Sequence, residues 1–452
     1  MNSLAGFGMP YWLDFDRPRF PRLDSNLTAD VVIVGAGISG LKLAHCLVKH
    51  GISSVVLEGG RVGDGASGRN QGTICTGANS LYHETIEQFR PTCGPDARRY
   101  ARDLWQMGLD NLRLIEAQME ELDIRCDYQR EGDHLLVRRD VGGWESLLQK
   151  YRKDYESLSE DGFAVAWMDE ADAVRQGGSP VYAGGLSYLA DAQFHSGRYV
   201  VGLAQGVCRD KRVRLFEQTR VTAIERQAGR AKVVTPTGSI SAQQVFLLTN
   251  ALVPQHVPTL TDAMRAERGQ VFVTEPLARR PCMGSFGTAL AWWREIPEPD
   301  GRFRFLFGGG RRREEPDSLF RQFDSQGRPH PKLESDGWNP SVAHQQRLDV
   351  EFRKLFPSLS SARITHRWGG LQCFTADGLP MIGEFDANRR IHGMAGFSGR
   401  GNTYTNVGAE FLAAKVAGVT SRIEKHYGKL IEMLLNARRA SARWGSWESS
   451  NE

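Results

Sequence analysis

A glycine triplet followed by an acidic residue is the pattern in this sequence with the clearest chemistry. Gly35, Gly37 and Gly40 have the Gly-x-Gly-x-x-Gly spacing, and Glu58 lies about twenty residues further on. Such glycines permit a tight turn and let the backbone approach a pyrophosphate, whose charge faces a helix N-terminus. A carboxylate at Glu58 can accept hydrogen bonds from a ribose diol. The pattern therefore predicts a dinucleotide site and leaves NAD and FAD both open.

Two strands and a helix are predicted around these glycines. The β-branched run Ala29–Val34 ends at Gly35 and is typical of a buried parallel strand. Small and apolar residues over Leu41–His50 favour a helix packed on that strand, and Ser54–Leu57 favours a second strand that ends at Glu58. The unit is β-α-β, the unit that binds mononucleotides in doubly wound sheets.

Other segments extend this sheet and indicate a second one. The apolar spacing from Asp103 to Leu122 suits an amphipathic helix. Further strands are predicted at Val221–Ile224, Lys232–Thr235, Gln244–Asn250, Gln270–Thr274 and Arg302–Phe307. The first three of these form a meander that rejoins the nucleotide-binding sheet, and the last two belong to a second, sheet-containing domain.

Composition is typical of a globular protein of mixed charge. Of 452 residues, 40% are hydrophobic and 24% charged, and 57 Lys and Arg against 53 Asp and Glu give a net charge of +4. This excludes a disordered or collagen-like chain and gives no electrostatic indication of nucleic acid binding. Seven cysteines without a close pair predict neither a zinc site nor a disulfide framework, and no metal is expected. Without a leader pattern or an apolar run of about 20 residues, we expect a cytoplasmic protein.

The loop after the second strand separates NAD from FAD. Its segment Gly63–Gly72, with the sequence Gly-Asp-Gly-Ala-Ser-Gly-Arg-Asn-Gln-Gly, resembles the Gly-Ala-Ser-Gly-Arg-Asn-Gly-Gly loop of the D-amino acid oxidase family of flavoproteins. It is most similar to the branch of glycine oxidase, sarcosine oxidase and gamma-glutamylputrescine oxidoreductase. The resemblance continues at Arg268–Gln270, Thr274–Leu277, Arg367–Gly370, Thr375–Gly383 and Gly396–Gly401. It therefore spans nearly the whole chain.

The resemblance implies an extended FAD molecule, with the flavin between two domains. Ser67–Gly72 would lie along the diphosphate and flavin, and Val221 would mark the strand that meets the adenine. Gly399–Thr405 would direct backbone N–H groups at the flavin pyrimidine, where a helix N-terminus stabilises negative charge. The expected cofactor contacts are Gly35, Gly37, Ile38, Ser39, Gly40, Glu58, Gly59, Arg61, Ala66, Ser67, Gly68, Arg69, Asn70, Gln71, Gly72, Val221, Asn250, Gly370, Gly399, Arg400, Gly401, Asn402 and Thr403.

The fold class that follows is α/β with an α+β second domain. A Rossmann-like FAD-binding domain, made of residues 28–90, 195–262 and 360–420, is interleaved with a sheet-based substrate-binding domain, made of residues 91–194 and 263–359. Residues 421–452 form a C-terminal helix and tail, in which Ile423, Tyr427, Leu430 and Leu434 have near-helical spacing among basic residues. Such a helix could lie on an anionic membrane surface, although docking on the protein is the commoner explanation.

Departures from the family pattern bear on the substrate. Arg400 replaces the family's histidine in Ser-Gly-His-Gly, and Thr403 replaces a lysine that in sarcosine oxidases helps to hold the substrate carboxylate. Ile74 and Cys75 stand where those enzymes have an arginine. The resemblance therefore favours an amine larger than a plain N-methyl amino acid.

Two further departures concern oxygen and the attachment of FAD. The sarcosine oxidase lysine that promotes reaction with oxygen would align near Phe305–Phe307, where no lysine occurs. Oxygen and another electron acceptor both remain open. Cys373 lies too close to Asp377 to match the cysteine that tethers FAD in those enzymes, so we expect noncovalent FAD.

The implied reaction transfers a hydride from the carbon next to nitrogen to flavin N5 and gives an imine that water hydrolyses. The amine must be neutral, although alkyl amines resemble lysine with a pKa of about 10.4, so a buried aromatic pocket would suit it. Trp292 and Trp293 are the substrate candidates, His195 is a catalytic candidate, and Arg400 is a candidate for both roles.

Two alternatives to a C–N oxidoreductase remain open. One is an FAD-dependent 2-hydroxy acid dehydrogenase. The other is a noncatalytic flavin-binding or partner subunit, which the replacements at Arg400 and Thr403 keep open. The sequence gives no indication of the oligomeric state.

Overall fold

The computed structural model describes residues 7–309 and 338–441 and has an α/β fold with two main sheets. Its strands are β1 Leu27–Val34, β2 Ser54–Leu57, β3 Thr73–Ile74, β4 Asp133–Arg138, β5 Val165–Met168, β6 Tyr182–Tyr188, β7 Ala192–Gln193, β8 Val213–Phe216, β9 Ala223–Gln227, β10 Arg230–Thr235, β11 Gly238–Leu247, β12 Met264–Thr274, β13 Ser285–Gly287, β14 Ala291–Pro297, β15 Phe303–Gly309, β16 Ile364–Thr375, β17 Met381–Asp386 and β18 Ile391–Ala395. Its α-helices are α1 Ile38–Lys49, α2 Tyr82–Cys93, α3 Ala97–Glu121, α4 Trp144–Glu160, α5 Glu170–Gly177, α6 Ser196–Val207, α7 Val342–Leu355, α8 Gly401–Ala417 and α9 Arg422–Ser441.

The first sheet contains the β-α-β unit. Its order is β17-β18-β11-β1-β2-β8, and β1 is parallel to both β2 and β11. The antiparallel meander β9-β10-β11 joins it, as the sequence predicts. Along β1, Val31 and Ile33 pack into one apolar cluster and Val32 and Val34 into another. Both faces are therefore covered, which explains the uninterrupted β-branched run.

The second sheet has the order β16-β12-β15-β14-β13-β4-β6-β5. Its long antiparallel pair β12 and β16 runs from Met264, opposite Thr375, to Thr274, opposite Ile364. Strand β16 lies within the range 360–420 expected in the FAD-binding domain, so this segment contributes strands to both sheets. A short antiparallel ribbon of β3 and β7 forms a third, separate sheet.

The C-terminal helix α9 docks on the protein. Ile423, Tyr427, Leu430 and Leu434 are all buried, and the Tyr427 hydroxyl donates to the Asp110 carboxylate of α3 at 2.9 Å. This apolar face is therefore unavailable to a membrane surface, as the docked-helix explanation predicts. Among the described helices, none is long and apolar enough to cross a membrane.

Candidate cofactor site

A cavity of about 540 Å³ lies at the carboxyl ends of β1, β2 and β11. Parallel sheets typically bind ligands at this edge, and the volume is in the usual range for small-molecule sites. The cavity begins at the β1–α1 turn and extends to the N-terminus of α8. Of the expected cofactor contacts, those that line it are Gly35, Gly37, Ile38, Ser39, Glu58, Gly59, Ala66, Ser67, Arg69, Asn70, Val221, Asn250, Gly399, Gly401 and Asn402.

The β1–α1 turn depends on glycine at two of its positions. Gly35 has a φ of +106°, which L side chains rarely adopt. A Cβ on Gly40 would lie 1.9 Å from the carbonyl oxygen of Gly35, so α1 packs against the turn more closely than any side chain allows. Together they bring the N-terminal N–H groups of α1 to the cavity wall, where they can face an anionic ligand.

Glu58 ties this turn to the loop after β2. Its carboxylate accepts the backbone N–H of Ala36 at 2.9 Å and that of Gly60 at 2.9 Å. Burial raises the pKa of Glu58, and these two hydrogen bonds oppose that rise. The side chain thus lies at the cavity wall with acceptor capacity beyond these bonds, as a ribose diol would require.

The Ser67–Asn70 loop is held rigidly against the same helix. The Ser67 hydroxyl accepts the backbone N–H of Ile38 at 3.0 Å, and the Asn70 side chain donates to the Ser67 carbonyl at 3.0 Å. Arg69 donates to the carbonyls of Trp338 and Gly369 at 3.0 and 2.9 Å, which links the loop to β16. The loop therefore forms a preorganised wall of the cavity.

Buried polar atoms without a partner indicate that the cavity accommodates a polar ligand. Thr249 Oγ1, Gln372 Oε1 and Thr405 Oγ1 are buried and find no hydrogen-bond partner among the described residues. All three residues line the cavity. Because buried polar groups are nearly always paired, a bound molecule with many hydrogen-bonding groups fits these walls.

Asn111 of α3 clamps the first turn of α8. Its amide donates to the carbonyl of Asn402 at 2.7 Å, and its oxygen accepts the backbone N–H groups of Asn406 at 2.7 Å and Val407 at 3.3 Å. Asn111 is fully buried. The clamp therefore fixes the helix N-terminus that borders the cavity through Gly401 and Asn402.

Replacing Asn111 with leucine should loosen this helix N-terminus. The substitution keeps the shape but leaves buried backbone groups without their partners, so we expect a stability loss of about 2 kcal/mol. FAD affinity, measured by fluorescence titration of apoprotein, should fall about tenfold if the misplaced N–H groups contact the cofactor. Asn111→Asp keeps the acceptor and loses the donor, and its effect should be smaller. Unchanged stability and FAD affinity in Asn111→Leu would contradict the clamp.

The structure places His195, the catalytic candidate, at the N-cap of helix α6. His195 Nδ1 accepts the backbone N–H of Arg198 at 3.2 Å at the start of α6, and the ring packs edge-on against Trp12. Burial lowers its pKa to about 3, so the imidazole is neutral. It does not line the cavity.

The structure places Trp292 and Trp293, the substrate candidates, away from the cavity and in two different apolar clusters. Trp293 is fully buried, with its ring stacked between Tyr182 and Phe286 in the core of the second sheet. Trp292 packs over Gly308 in a separate apolar cluster. Neither residue lines the cavity.

Other expected cofactor contacts lie behind the cavity wall or beside it. Gln71 donates to Ser285 of β13, and the carbonyl of Gly72 accepts from Arg294 of β14. Arg61 donates to the carbonyls of Arg17 and Pro18. Those that do not line the cavity are Gly40, Arg61, Gly68, Gln71, Gly72, Gly370, Arg400 and Thr403.

The cavity also contains residues that the sequence analysis missed. Thr219 and Arg220 follow β8, Thr249 follows β11, and Gln255 and His256 come soon after. The sequence could have indicated these residues, because the carboxyl ends of parallel strands lie at one edge of the sheet. Gln372 and Thr405 belong to segments that only the tertiary fold brings to this edge.

Comparisons with known proteins agree with this geometry. The family model described as FAD dependent oxidoreductase matches residues 30–415. Gamma-glutamylputrescine oxidoreductase of Escherichia coli (strain K12) is 28% identical over 419 residues, covering 90% of this chain and 87% of the relative. A probable oxidoreductase, OrdL, of Haemophilus influenzae is 24% identical over 433 residues, covering 93% and 90%. The crystal structure of glycine oxidase from Geobacillus kaustophilus superposes with a TM-score of 0.67 at 19% identity, covering 88% of this chain and 96% of that one.

Proposed function

The chain belongs to the FAD-dependent oxidoreductase family, and on this premise we propose that it oxidises a carbon–nitrogen bond of a small primary or secondary amine. The observation that carries the proposal is the match to relatives over about nine-tenths of both chains, one of them named for gamma-glutamylputrescine. One structural neighbour with this fold is named for glycine. Both named compounds are amines, and oxidation of a carbon–nitrogen bond is a reaction that both can undergo.

The cavity residues would hold FAD in an extended form. The α1 N-terminus suits the diphosphate and Glu58 the ribose diol. Bound FAD supplies a hydride acceptor for the substrate carbon next to nitrogen. The substrate loses that hydride and a proton to become an imine, and water then converts the imine to a carbonyl compound and releases ammonia or an amine. Oxygen or another acceptor would then take up the electrons.

The cavity end near α8 suits a neutral amine. Leu371 and Phe397 supply apolar surface there, while the carboxylates among the described lining residues are Glu58 and Asp64 at the glycine-loop end. A nearby carboxylate would hold the ammonium form, whereas burial favours the neutral amine that can release a hydride. The N–H groups at the α8 N-terminus can stabilise negative charge beside this end.

FAD should be released from this protein by acid. Cys373 is the cysteine among the described lining residues, and burial raises the pKa of its thiol to about 12. Because the thiolate is the nucleophilic form, this side chain is a poor candidate for a covalent tether. After trichloroacetic acid precipitation, all flavin absorbance should appear in the supernatant. A yellow pellet whose colour is lost in Cys373→Ala would contradict noncovalent binding.

Product analysis tests the proposed reaction. A primary amine that bleaches the flavin without air should yield one carbonyl product and one ammonia per flavin, and bleaching should accelerate as pH approaches the amine pKa. A keto acid formed without ammonia from a 2-hydroxy acid would identify the alternative dehydrogenase. Flavin that neither class reduces would favour a noncatalytic protein. Readmitting air shows whether oxygen accepts the electrons.

A further inference from the structure

A cluster of charged side chains lies beside the cofactor cavity and takes no part in the site described above. Cys75 Sγ and one carboxylate oxygen each from Asp133 and Asp191 lie within 4.8 Å of one another. Cys75 follows β3, Asp191 precedes the paired strand β7, and Asp133 begins β4. We call the cluster of Cys75, Asp133, Asp191 and Arg400 the charged chamber.

Asp191 is the most deeply buried member of the charged chamber. It is fully buried, and its Oδ1 accepts the backbone N–H of Thr76 at 2.9 Å. Its Oδ2 finds no partner within the described part of the chain. The Cys75 thiol donates to Asp133 Oδ2 at 3.5 Å. A buried carboxylate oxygen next to a second carboxylate therefore lacks the donor that it requires.

Arg400 brings a positive charge to the same chamber. Its guanidinium interacts electrostatically with Cys75, Asp133 and Asp191, and these groups together raise its pKa although burial opposes this. No hydrogen bond or ion pair joins its side chain to residues 7–309 or 338–441. The Arg400 side chain is half-buried, and its forked donors keep hydrogen-bonding capacity for a ligand.

The charged chamber adjoins the cofactor cavity. Gly399 and Gly401, on either side of Arg400, line the cavity. The Thr403 hydroxyl in the first turn of α8 donates to the Cys75 carbonyl, which ties the charged chamber to the helix that borders the cavity. A substrate extending from the cavity would therefore reach Arg400 and the two carboxylates.

The charges select one kind of ligand. A simple anion would suit Arg400 and be repelled by Asp133, and a simple cation or a divalent metal would be repelled by Arg400. A group that carries both charges satisfies both sides. Its carboxylate can take two donors from the guanidinium fork, and its ammonium can donate to the unpaired Asp191 oxygen and to Asp133.

We propose that the charged chamber binds the zwitterionic head of an α-amino acid and that the amine oxidised at the flavin is a second one, at the far end of the same substrate. This inference rests on the proposed function. An amine held between Asp133 and Asp191 stays protonated and cannot release a hydride from its carbon, because its nitrogen has no free electron pair. The reacting amine must therefore be another, in the part of the cavity without a carboxylate.

Four matched probes test the chamber on the FAD-loaded enzyme without air. L-Lysine carries the head and a terminal amine, cadaverine lacks its carboxylate, 6-aminohexanoate lacks its α-amine, and L-norleucine lacks the terminal amine. Binding is measured by perturbation of the flavin spectrum and reaction by bleaching. L-Lysine should bind at least about tenfold more tightly than cadaverine and 6-aminohexanoate. L-Norleucine should bind without bleaching, and L-lysine should bind and bleach.

Variants test which residue recognises the carboxylate of the ligand and which recognises its α-ammonium. In Arg400→Gln the preference for L-lysine over cadaverine should disappear, and in Asp133→Asn the preference over 6-aminohexanoate should disappear. Asp24→Asn removes an exposed carboxylate outside the chamber and should change neither preference. Thermal unfolding of each variant separates lost recognition from lost folding.

The outcomes separate the chamber from the proposed function. Equal binding of all probes, no spectral change with any of them, or bleaching by L-norleucine would overturn the chamber proposal. Tight binding of a divalent metal that competes with L-lysine would also overturn it. Head-group preference without bleaching by any amine would support the chamber and reject the proposed oxidation. Bleaching by amines without head-group preference would support the proposed oxidation and reject the chamber.

Discussion

Replacing Gly40 with alanine is expected to leave a protein that no longer retains FAD. The new Cβ would lie 1.9 Å from the Gly35 carbonyl oxygen, which is backbone and cannot rotate away. Helix α1 must then move away from β1, and its N-terminal N–H groups leave the cavity wall. We expect FAD affinity to fall at least about 100-fold, which is about 3 kcal/mol, with a loss of stability from the disturbed strand–helix contact. Flavin content after gel filtration and fluorescence titration of the apoprotein measure the effect.

The matched control for this substitution is Gly142→Ala. A Cβ at Gly142 has no atom within 4 Å, and its φ is not in the left-handed region, so flavin content and stability should be those of the unchanged protein. A Gly40→Ala protein with full flavin content would show that the turn is not the diphosphate site.

We expect Asp191 to make the free energy of unfolding fall as the pH rises. Burial, with the neighbouring Asp133 charge, raises the pKa of Asp191 to about 8, far above the value of about 3.9 in an unfolded chain. Between these values the folded protein holds a proton that the unfolded chain releases, so this carboxyl makes stability fall as pH rises, by up to about 1.4 kcal/mol per pH unit. The groups that face Asp191 are Asp133, Cys75, Tyr188 and Arg400.

Asp191→Asn isolates this contribution because asparagine imitates the protonated acid. Urea unfolding of the two proteins at a series of pH values from 5 to 8 should give curves that diverge, with the variant gaining relative stability as pH rises. Parallel pH profiles would mean that Asp191 is already ionised in the folded protein.

Local sequence pattern predicted the parts of the fold that depend on local chemistry. The β1 run is uninterrupted because both faces of that strand are covered, and Gly35 and Gly40 are required by backbone geometry within six residues of chain. These constraints act over short distances, so the β-α-β unit and Glu58 could be placed at the cavity, whereas the position expected for the Ser67–Asn70 loop came from the family resemblance.

Side chains far apart in the sequence could not be placed in the same way. His195 precedes a helix start, and only the structure shows that its ring caps that helix. Trp292 and Trp293 are neighbours on β14, where successive side chains point to opposite faces, so one pocket could not hold both. Asp133 and Asp191 come from β4 and the residue before β7, and no local motif links them to Arg400.

The visible spectrum of the purified protein without air, before and after addition of amines, N-alkyl amino acids and 2-hydroxy acids, tests the central claim most directly. We predict a yellow protein whose flavin absorbance is bleached by an amine and left unchanged by 2-hydroxy acids. A colourless protein that FAD cannot reconstitute, or a yellow protein bleached by a 2-hydroxy acid and by no amine, would contradict the account.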